Sequence, residues 1–300
     1  MEAARSGVLA CRGRLQYLRP MRDVVIVGAG EIGGTLAHIL ARSDLASSVR
    51  LVDDAGRVAE GKALDIMQSA PIEGFATAVT GHRDLAMMTA GDVTIVADRA
   101  SGGEWQGDDV ALLLKRLRAS AEERVVIGAG ASHREIVERG VRELGYSRTR
   151  LLGSAPEALV GAVRALIALE VDGSARDVSV TVLGVPPDQV VIPWDDATIA
   201  GMLATNALTE PSRRRIAARV AALWPPGPIA LAAAAAKAAA GVLGGSRQLV
   251  CAFVAPDDSL GRRTRTAALP VRLTSSGLDT VEVPLLSVRD RTALDSAMRI

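Results

Sequence analysis

The stretch that most constrains this chain is residues 22–43, RDVVIVGAGEIGGTLAHILARS. It opens with β-branched apolar residues, passes through clustered glycines and continues with apolar residues at helical spacing, which predicts a buried strand, a tight turn and a helix. Gly28, Gly30 and Gly33 give the spacing G-x-G-x-x-G. In such a turn the first glycine permits the bend, the second lets a pyrophosphate approach the backbone, and the third lets the helix pack on its strand.

A second predicted strand, VRLVDD, ends in two aspartates, of which the first, Asp53, follows Gly33 by 20 residues. A carboxylate at this distance binds the ribose hydroxyls of a dinucleotide and repels a 2′-phosphate. Free N–H groups at the start of the helix hold the phosphates. The sequence therefore predicts that NAD(H) binds in preference to NADP, at Gly28, Gly30, Glu31, Ile32, Gly33 and Asp53.

Strand and helix patterns continue to alternate along the first half of the chain. DVTIVAD and RVVIGAGA are typical of parallel strands, DDVALLLKRLRASAEE predicts the helix between them, and HREIVERGVRELG predicts the next helix. The predicted fold class is α/β, with a Rossmann doubly wound parallel sheet in residues 22–153 and a second, α+β domain of the substrate-binding type in residues 154–300. Residues 1–21 are arginine-rich, lack a long apolar segment and are predicted to be a disordered extension.

Composition narrows the classes of partner. With 35 basic and 34 acidic side chains the net charge is +1, which provides no long-range attraction for nucleic acid or a membrane surface. Cys11 and Cys251 are too few for a disulfide framework and lack metal-ligand spacing, so we expect a reducing cytoplasm and no metal site. The most apolar window, residues 229–245, is shorter than the ~20 residues of a membrane span and contains Lys237, so it predicts a buried helix.

Five stretches share the pattern of one known family. They are VVIVGAGEIGGTLAHILA, GKALDIMQSAPIEGFATAVTG (residues 61–81, the most specific), LLGSA, VSVTVLG and LPVRLTSSGLDTVEVPL. On these residues the chain, from Asp23 almost to its C-terminus, resembles the malate and lactate dehydrogenase family, particularly bacterial malate dehydrogenases. The resemblance implies NAD as cofactor and a homo-oligomer, dimer or tetramer, in which the helix containing GKALDIMQSAPIEGF packs against a second subunit.

The resemblance also implies where the family's catalytic groups fall, and each position carries an unreactive residue. The proton-transferring histidine falls on Pro186 and the aspartate that orients it on Leu159. The arginine that binds the substrate carboxylate falls on Ala162, the arginine before an Asp-Asp pair on Gly107, and the asparagine of a T-N-P turn on Ala131. None of these side chains can transfer a proton or bind a carboxylate.

Two interpretations remain open from the sequence. The first is an NAD-binding pseudoenzyme with a regulatory or assembly role. The second is an active NAD-dependent oxidoreductase that acts on an altered 2-hydroxy acid or another alcohol with a relocated base, for which His133, Glu157 and Asp98 are candidates. Arg99 either replaces a loop arginine of the family or is a solvated charge. The former substrate pocket is predicted to be apolar or collapsed, suited at most to a small apolar or weakly anionic ligand.

Overall fold

The structure is a computed structural model, and it describes residues 22–84, 91–120, 124–244, 246–257 and 264–299. The predicted disordered extension over residues 1–21, with Cys11, lies outside the described residues.

Helices and strands alternate along the described chain. The helices are α1 (Glu31–Arg42), α2 (Gly56–Glu73), α3 (Asp108–Ser120), α4 (Arg134–Arg142), α5 (Ala155–Glu170), α6 (Ala204–Ala207), α7 (Glu210–Val220), α8 (Pro228–Val242) and α9 (Val288–Met298). The strands are β1 (Asp23–Val27), β2 (Ser48–Val52), β3 (Ala78–His82), β4 (Val93–Val96), β5 (Val125–Gly128), β6 (Leu151–Gly153), β7 (Val178–Ser179), β8 (Leu183–Val185), β9 (Gln189–Val191), β10 (Thr198–Ile199), β11 (Met202–Leu203), β12 (Val250–Val254), β13 (Ala267–Thr274) and β14 (Gly277–Val281).

The first six strands form a parallel sheet in the order β3-β2-β1-β4-β5-β6. This is the doubly wound order, and it confirms the predicted Rossmann α/β fold. Every residue of β4 and β5 is buried, as expected for parallel strands covered by helices on both faces. The chain reverses its direction of winding between β1 and β4, so the carboxyl ends of these two strands open into the crevice where ligands bind in such sheets.

The sheet continues into the second half of the chain. Strand β12 pairs antiparallel with β6, with Phe253 opposite Gly153 and Val254 opposite Leu152, and β13, β8 and β9 follow in order. The large core also takes side chains from both halves, because α8 packs against α1 and contributes residues such as Leu231. The predicted domain boundary between residues 153 and 154 therefore lies within a continuous sheet, and it stays a prediction.

Helix α8 confirms the buried helix predicted from the alanine-rich window. Nine of its residues are buried, and their small side chains let the helix approach its neighbours closely. Among the described residues no single helix is long and apolar enough to cross a membrane. The pair formed by residues Glu210–Leu223 and Pro228–Val242 meets the length and composition criteria only when taken together, and it bends by 98°.

We expect Phe253→Ala to lower the free energy of unfolding by about 3–5 kcal/mol. Phe253 is 1% exposed, lies on the strand that joins the two halves of the sheet, and contacts Trp224 edge to face with ring centroids 6.0 Å apart. Urea unfolding measures the change. Leu285→Ala is the control: Leu285 is 90% exposed, and its truncation should change stability by less than about 0.5 kcal/mol. Equal effects of the two substitutions would contradict this placement of Phe253.

Candidate cofactor and active site

The glycine turn has the predicted geometry. Gly28, directly after β1, has φ +111°, a conformation that side chains disfavour, and its N–H donates to the Val52 carbonyl at 2.8 Å. A Cβ on Gly33 would lie 2.0 Å from the Gly28 carbonyl oxygen, so only glycine allows α1 to approach the turn this closely. Ile32, which lies between Gly30 and Gly33 in the sequence, is buried in the core. The turn thus presents the backbone of the first helical residues at the carboxyl end of β1.

The carboxylate of Asp98 caps these residues. Asp98 Oδ2 accepts a hydrogen bond from the Glu31 N–H at 2.8 Å, and Oδ1 accepts one from the Gly33 N–H at 3.0 Å. The Gly30 N–H donates to the Asp98 backbone carbonyl at 2.9 Å, and a Cβ on Gly30 would lie 2.3 Å from the carboxylate. In glycine turns of this kind the same N–H groups hold the pyrophosphate. The side chain of Asp98 therefore fills the phosphate position.

Asp53 lies at the end of β2, as predicted, and is 5% exposed. Its Oδ2 accepts from the N–H groups of Ala29 at 2.8 Å and Ala100 at 2.9 Å, and its Oδ1 accepts from that of Ala55 at 2.8 Å. Ala100 belongs to the loop that follows β4, so this loop lies against the carboxylate. A ribose can reach Asp53 only if the loop moves.

The same loop is anchored at a third point by Glu104. The Glu104 carboxylate accepts hydrogen bonds from the N–H groups of Ala131 at 2.8 Å and Ser132 at 2.7 Å, and from the Ser132 hydroxyl at 2.5 Å. Ala131 is the position that the resemblance assigns to the family's asparagine. Glu104 therefore occupies the start of the helical turn that follows β5.

Arg99 contacts its own loop and the helix after it. Its Nη1 donates to Asp109 at 2.8 Å, and its guanidinium lies 5.0 Å from the centroid of the Trp105 ring. Gly107 is tied to α4, because its N–H donates to Glu135 and its carbonyl accepts from Arg139. Both residues thus have contacts that stabilise the loop.

The three candidate bases all have partners. His133 is fully buried, and its Nδ1 accepts from the Gly130 N–H at 2.9 Å. Glu157 is 9% exposed, pairs with Lys237, and accepts from the Cys251 N–H at 2.8 Å. Asp98 caps α1 as described. The structure therefore engages each candidate in a contact that supports the fold, and it places the Asp98 carboxylate near enough to His133 for its charge to act on the imidazole.

The positions that match the family's histidine and aspartate are apolar and buried. Pro186 is buried after β8, and Leu159 is fully buried in a cluster with Val182 and Cys251. Ala162, one turn further along α5, lines a pocket of about 550 Å³ between α5 and α8. Alanine, glycine, leucine and proline residues form most of that pocket, together with the Glu157–Lys237 pair.

The sequence interpretation missed the roles of Asp98 and Glu104. One signal was available for Asp98: it stands just after β4, whose carboxyl end lies beside the glycine turn in the doubly wound order. Glu104 carries no such signal, because its contact with residues 131 and 132 depends on the path of the intervening loop.

In this conformation the residues predicted to bind NAD are not free to hold it, although the glycine turn has the required shape. The N–H groups of Glu31 and Gly33, which would hold the pyrophosphate, are bonded to Asp98. The loop that contains Ala100 restricts access to Asp53, which would hold the ribose. A dinucleotide and this arrangement of the loop exclude each other.

Comparison with known proteins finds malate and lactate dehydrogenases similar to this chain. Residues 22–104 match the model of the lactate/malate dehydrogenase NAD-binding domain. The malate dehydrogenase of Desulforudis audaxviator is 27% identical over 92% of this chain and 95% of its own length, and that of Salinibacter ruber is 27% identical over 86% and 88%.

Solved structures agree with the sequence comparison. The malate dehydrogenase of Salinibacter ruber superposes with a TM-score of 0.82 at 25% identity, covering 92% of this chain and 93% of the relative. The lactate dehydrogenase of Cryptosporidium parvum, at 21% identity, has the same fold with a TM-score of 0.83, covering 93% and 95%. The likeness thus extends over both halves of the chain.

We expect His133 to make stability fall with decreasing pH. Burial lowers the pKa of His133 from 6.5 to about 4, although the charges of Glu104 and Asp98 act in the opposite direction. Below about pH 6.5 this side chain is therefore protonated in the unfolded chain, whereas in the folded chain it stays neutral down to about pH 4. The difference lowers the free energy of unfolding by up to about 3 kcal/mol as the pH falls across this window.

Urea unfolding between about pH 7 and pH 4 measures this loss. In His133→Asn, which keeps an acceptor for the Gly130 N–H, the free energy of unfolding should decrease less steeply with falling pH than in the wild type. Parallel pH profiles of the two proteins would contradict the assignment.

Proposed function

Because the chain belongs to the malate and lactate dehydrogenase family, we propose that it is a member that has lost hydride transfer to and from malate and lactate and serves a regulatory or assembly role in the cytoplasm. Its scaffold is that of an NAD-binding dehydrogenase, and NAD is the cofactor of its first domain. The observation that carries the proposal is the chemistry at three matched positions, where Pro186, Leu159 and Ala162 stand in place of histidine, aspartate and arginine.

The size of each missing contribution supports this proposal. Loss of a general acid or base costs about 10²- to 10⁴-fold in rate. Loss of a bidentate arginine removes charge-assisted hydrogen bonds worth about 1.5–3 kcal/mol. The groups act as a unit, so these effects do not simply add. The full burial of Leu159 among apolar side chains also leaves no space for a charged replacement at that point.

One observation favours an alternative, an active oxidoreductase for an altered 2-hydroxy acid or another alcohol. Ala162 lines the same pocket of about 550 Å³ as the Glu157–Lys237 pair. A carboxylate is a residue type that serves as a general base, and the apolar walls of the pocket suit a substrate less anionic than malate. The alternative requires that Glu157 leave its hydrogen bond with the Cys251 N–H to act as a base.

We expect no turnover of oxaloacetate, pyruvate, malate or lactate by the purified protein. Steady-state assays at saturating NADH or NAD should give rates at least about 10³-fold below the common enzyme value of ~10 s⁻¹. Pro186→His alone should not restore activity, because the imidazole would lack the acid that orients it and the arginine that positions the substrate. The Salinibacter ruber malate dehydrogenase, assayed in parallel, is the positive control.

Turnover of oxaloacetate near ~10 s⁻¹ by the wild type would overturn the proposed function. Turnover confined to neutral 2-oxo compounds or simple alcohols, and abolished by Glu157→Gln, would instead support the alternative.

We also propose that the protein is a homodimer that associates through α2. This helix leaves Val58, Leu64 and Ile72 exposed, and Ile229 at the start of α8 is exposed as well. Large apolar side chains on one region of a surface are typical of an interface. The family resemblance implies that α2 packs against a second subunit, and the same packing is proposed for this chain.

Substitution of Ile72, which is 87% exposed, should test the dimer without disturbing the core. Ile72→Glu places a charge within the proposed contact and should convert the protein to a monomer at micromolar concentration, as measured by multi-angle light scattering. Leu285→Glu, a substitution at an equally exposed position away from α2, should leave the mass unchanged. A monomeric wild type would contradict the proposal.

A further inference from the structure

We propose that residues 98–104 are a built-in occupant of the cofactor cleft, with Asp98 in the place of the pyrophosphate, so that NAD binds only after this segment leaves. The inference concerns binding. It relies on NAD as the cofactor of the domain and is independent of whether the protein turns over a substrate.

Asp98 and a pyrophosphate compete for the same donors at the start of α1. The first N–H groups of a helix have no partners within the helix, and the helix dipole favours a negative charge beside them. Asp98 supplies that charge with one oxygen on the Glu31 N–H and the other on the Gly33 N–H. A pyrophosphate needs the same donors and brings two further negative charges. Asp98 and the pyrophosphate therefore exclude each other by space and by charge.

The far end of the segment is also held by a carboxylate that accepts backbone N–H groups. Glu104 accepts the N–H groups of Ala131 and Ser132 and the Ser132 hydroxyl, all within 2.8 Å. A Cβ on Gly130 would lie 2.5 Å from the Glu104 carboxyl carbon, so the side chain packs directly against this turn. The two carboxylates thus fix the segment at the carboxyl ends of β4 and β5.

Between these ends the segment is compact and covers Asp53. The Arg99 N–H donates to the Gly103 carbonyl and the Gly102 N–H to the Arg99 carbonyl, both at 3.0 Å, which closes a tight turn. The Ala100 N–H donates to Asp53 at 2.9 Å. The contacts at α1 and at Asp53 have replacements when a dinucleotide binds, because phosphates can accept from α1 and ribose hydroxyls can donate to Asp53. Binding is therefore an exchange of internal for external ligands.

Such an exchange lowers the apparent affinity by the fraction of molecules in which the segment is open. Substitutions that weaken the anchors raise that fraction. Substitution of an anchor should therefore tighten the binding of NADH. Substitution of a residue that contacts the cofactor would weaken it.

The test is an NADH fluorescence titration of the full chain and of Asp98→Asn. The amide keeps the size of the side chain but removes its charge and one of its two acceptors, so we expect NADH to bind at least about tenfold more tightly than to the wild type. Asp92→Asn is the matched control: Asp92 also accepts a backbone N–H, that of Asp23 at 2.9 Å, but at the opposite end of β4. Its affinity for NADH should equal that of the wild type.

Equal or weaker binding of NADH by a folded Asp98→Asn protein would overturn the inference, as would no binding by either protein at millimolar NADH. If Asp98→Asn does not fold, Glu104→Gln carries the same expectation, because it releases the other anchor. Hydrogen exchange on the wild type provides a second readout: saturating NADH should accelerate exchange at the Ala131 and Ser132 amides, and unchanged protection with NADH bound would overturn the inference. Turnover of oxaloacetate would refute the proposed function and leave these binding results unaffected.

Discussion

The backbone N–H groups at the start of α1 are the constraint on which the rest of the site depends. The first N–H groups of a helix have no partners within the helix, so they take acceptors from side chains, ligands or water. The glycines make the helix start possible, since a Cβ on Gly33 would collide with the Gly28 carbonyl. Asp98 then supplies the acceptors from just beyond the end of β4, the strand beside β1. The path of the loop to Glu104 follows from this anchor.

The sequence predicted those parts of the fold that are encoded by local pattern. Apolar β-branched runs identified β1, β4 and β5, and the spacing from Gly33 to Asp53 placed a carboxylate at the end of β2. Contacts between distant segments were beyond that reasoning. The bonds of Asp98 to α1 join residues 65 and 67 positions apart, and the antiparallel pairing of β12 with β6 joins the two halves of the chain. No periodicity reports such pairings, because they depend on how whole elements pack.

The positions that match the family's catalytic groups show a consistent physical change. A buried charged pair is stable only when each charge keeps its partners, and its replacement by apolar side chains of similar volume is often neutral or stabilising. Leu159 fits this rule, because it is fully buried with Val182 and Cys251 in an apolar cluster. The thiol of Cys251 belongs to the same environment, where burial raises its pKa to about 12. This region of the described structure contributes apolar packing.

The cap that Asp98 provides also changes what keeps the protein folded in a cell. Where a cleft is completed by a bound ligand, the folded population rises and falls with the concentration of that ligand. Here the donors of α1 are satisfied by a covalent part of the chain, at an effective concentration that never varies. The donors of α1 therefore keep an acceptor at any dinucleotide concentration, so the glycine turn does not depend on a bound ligand to satisfy them.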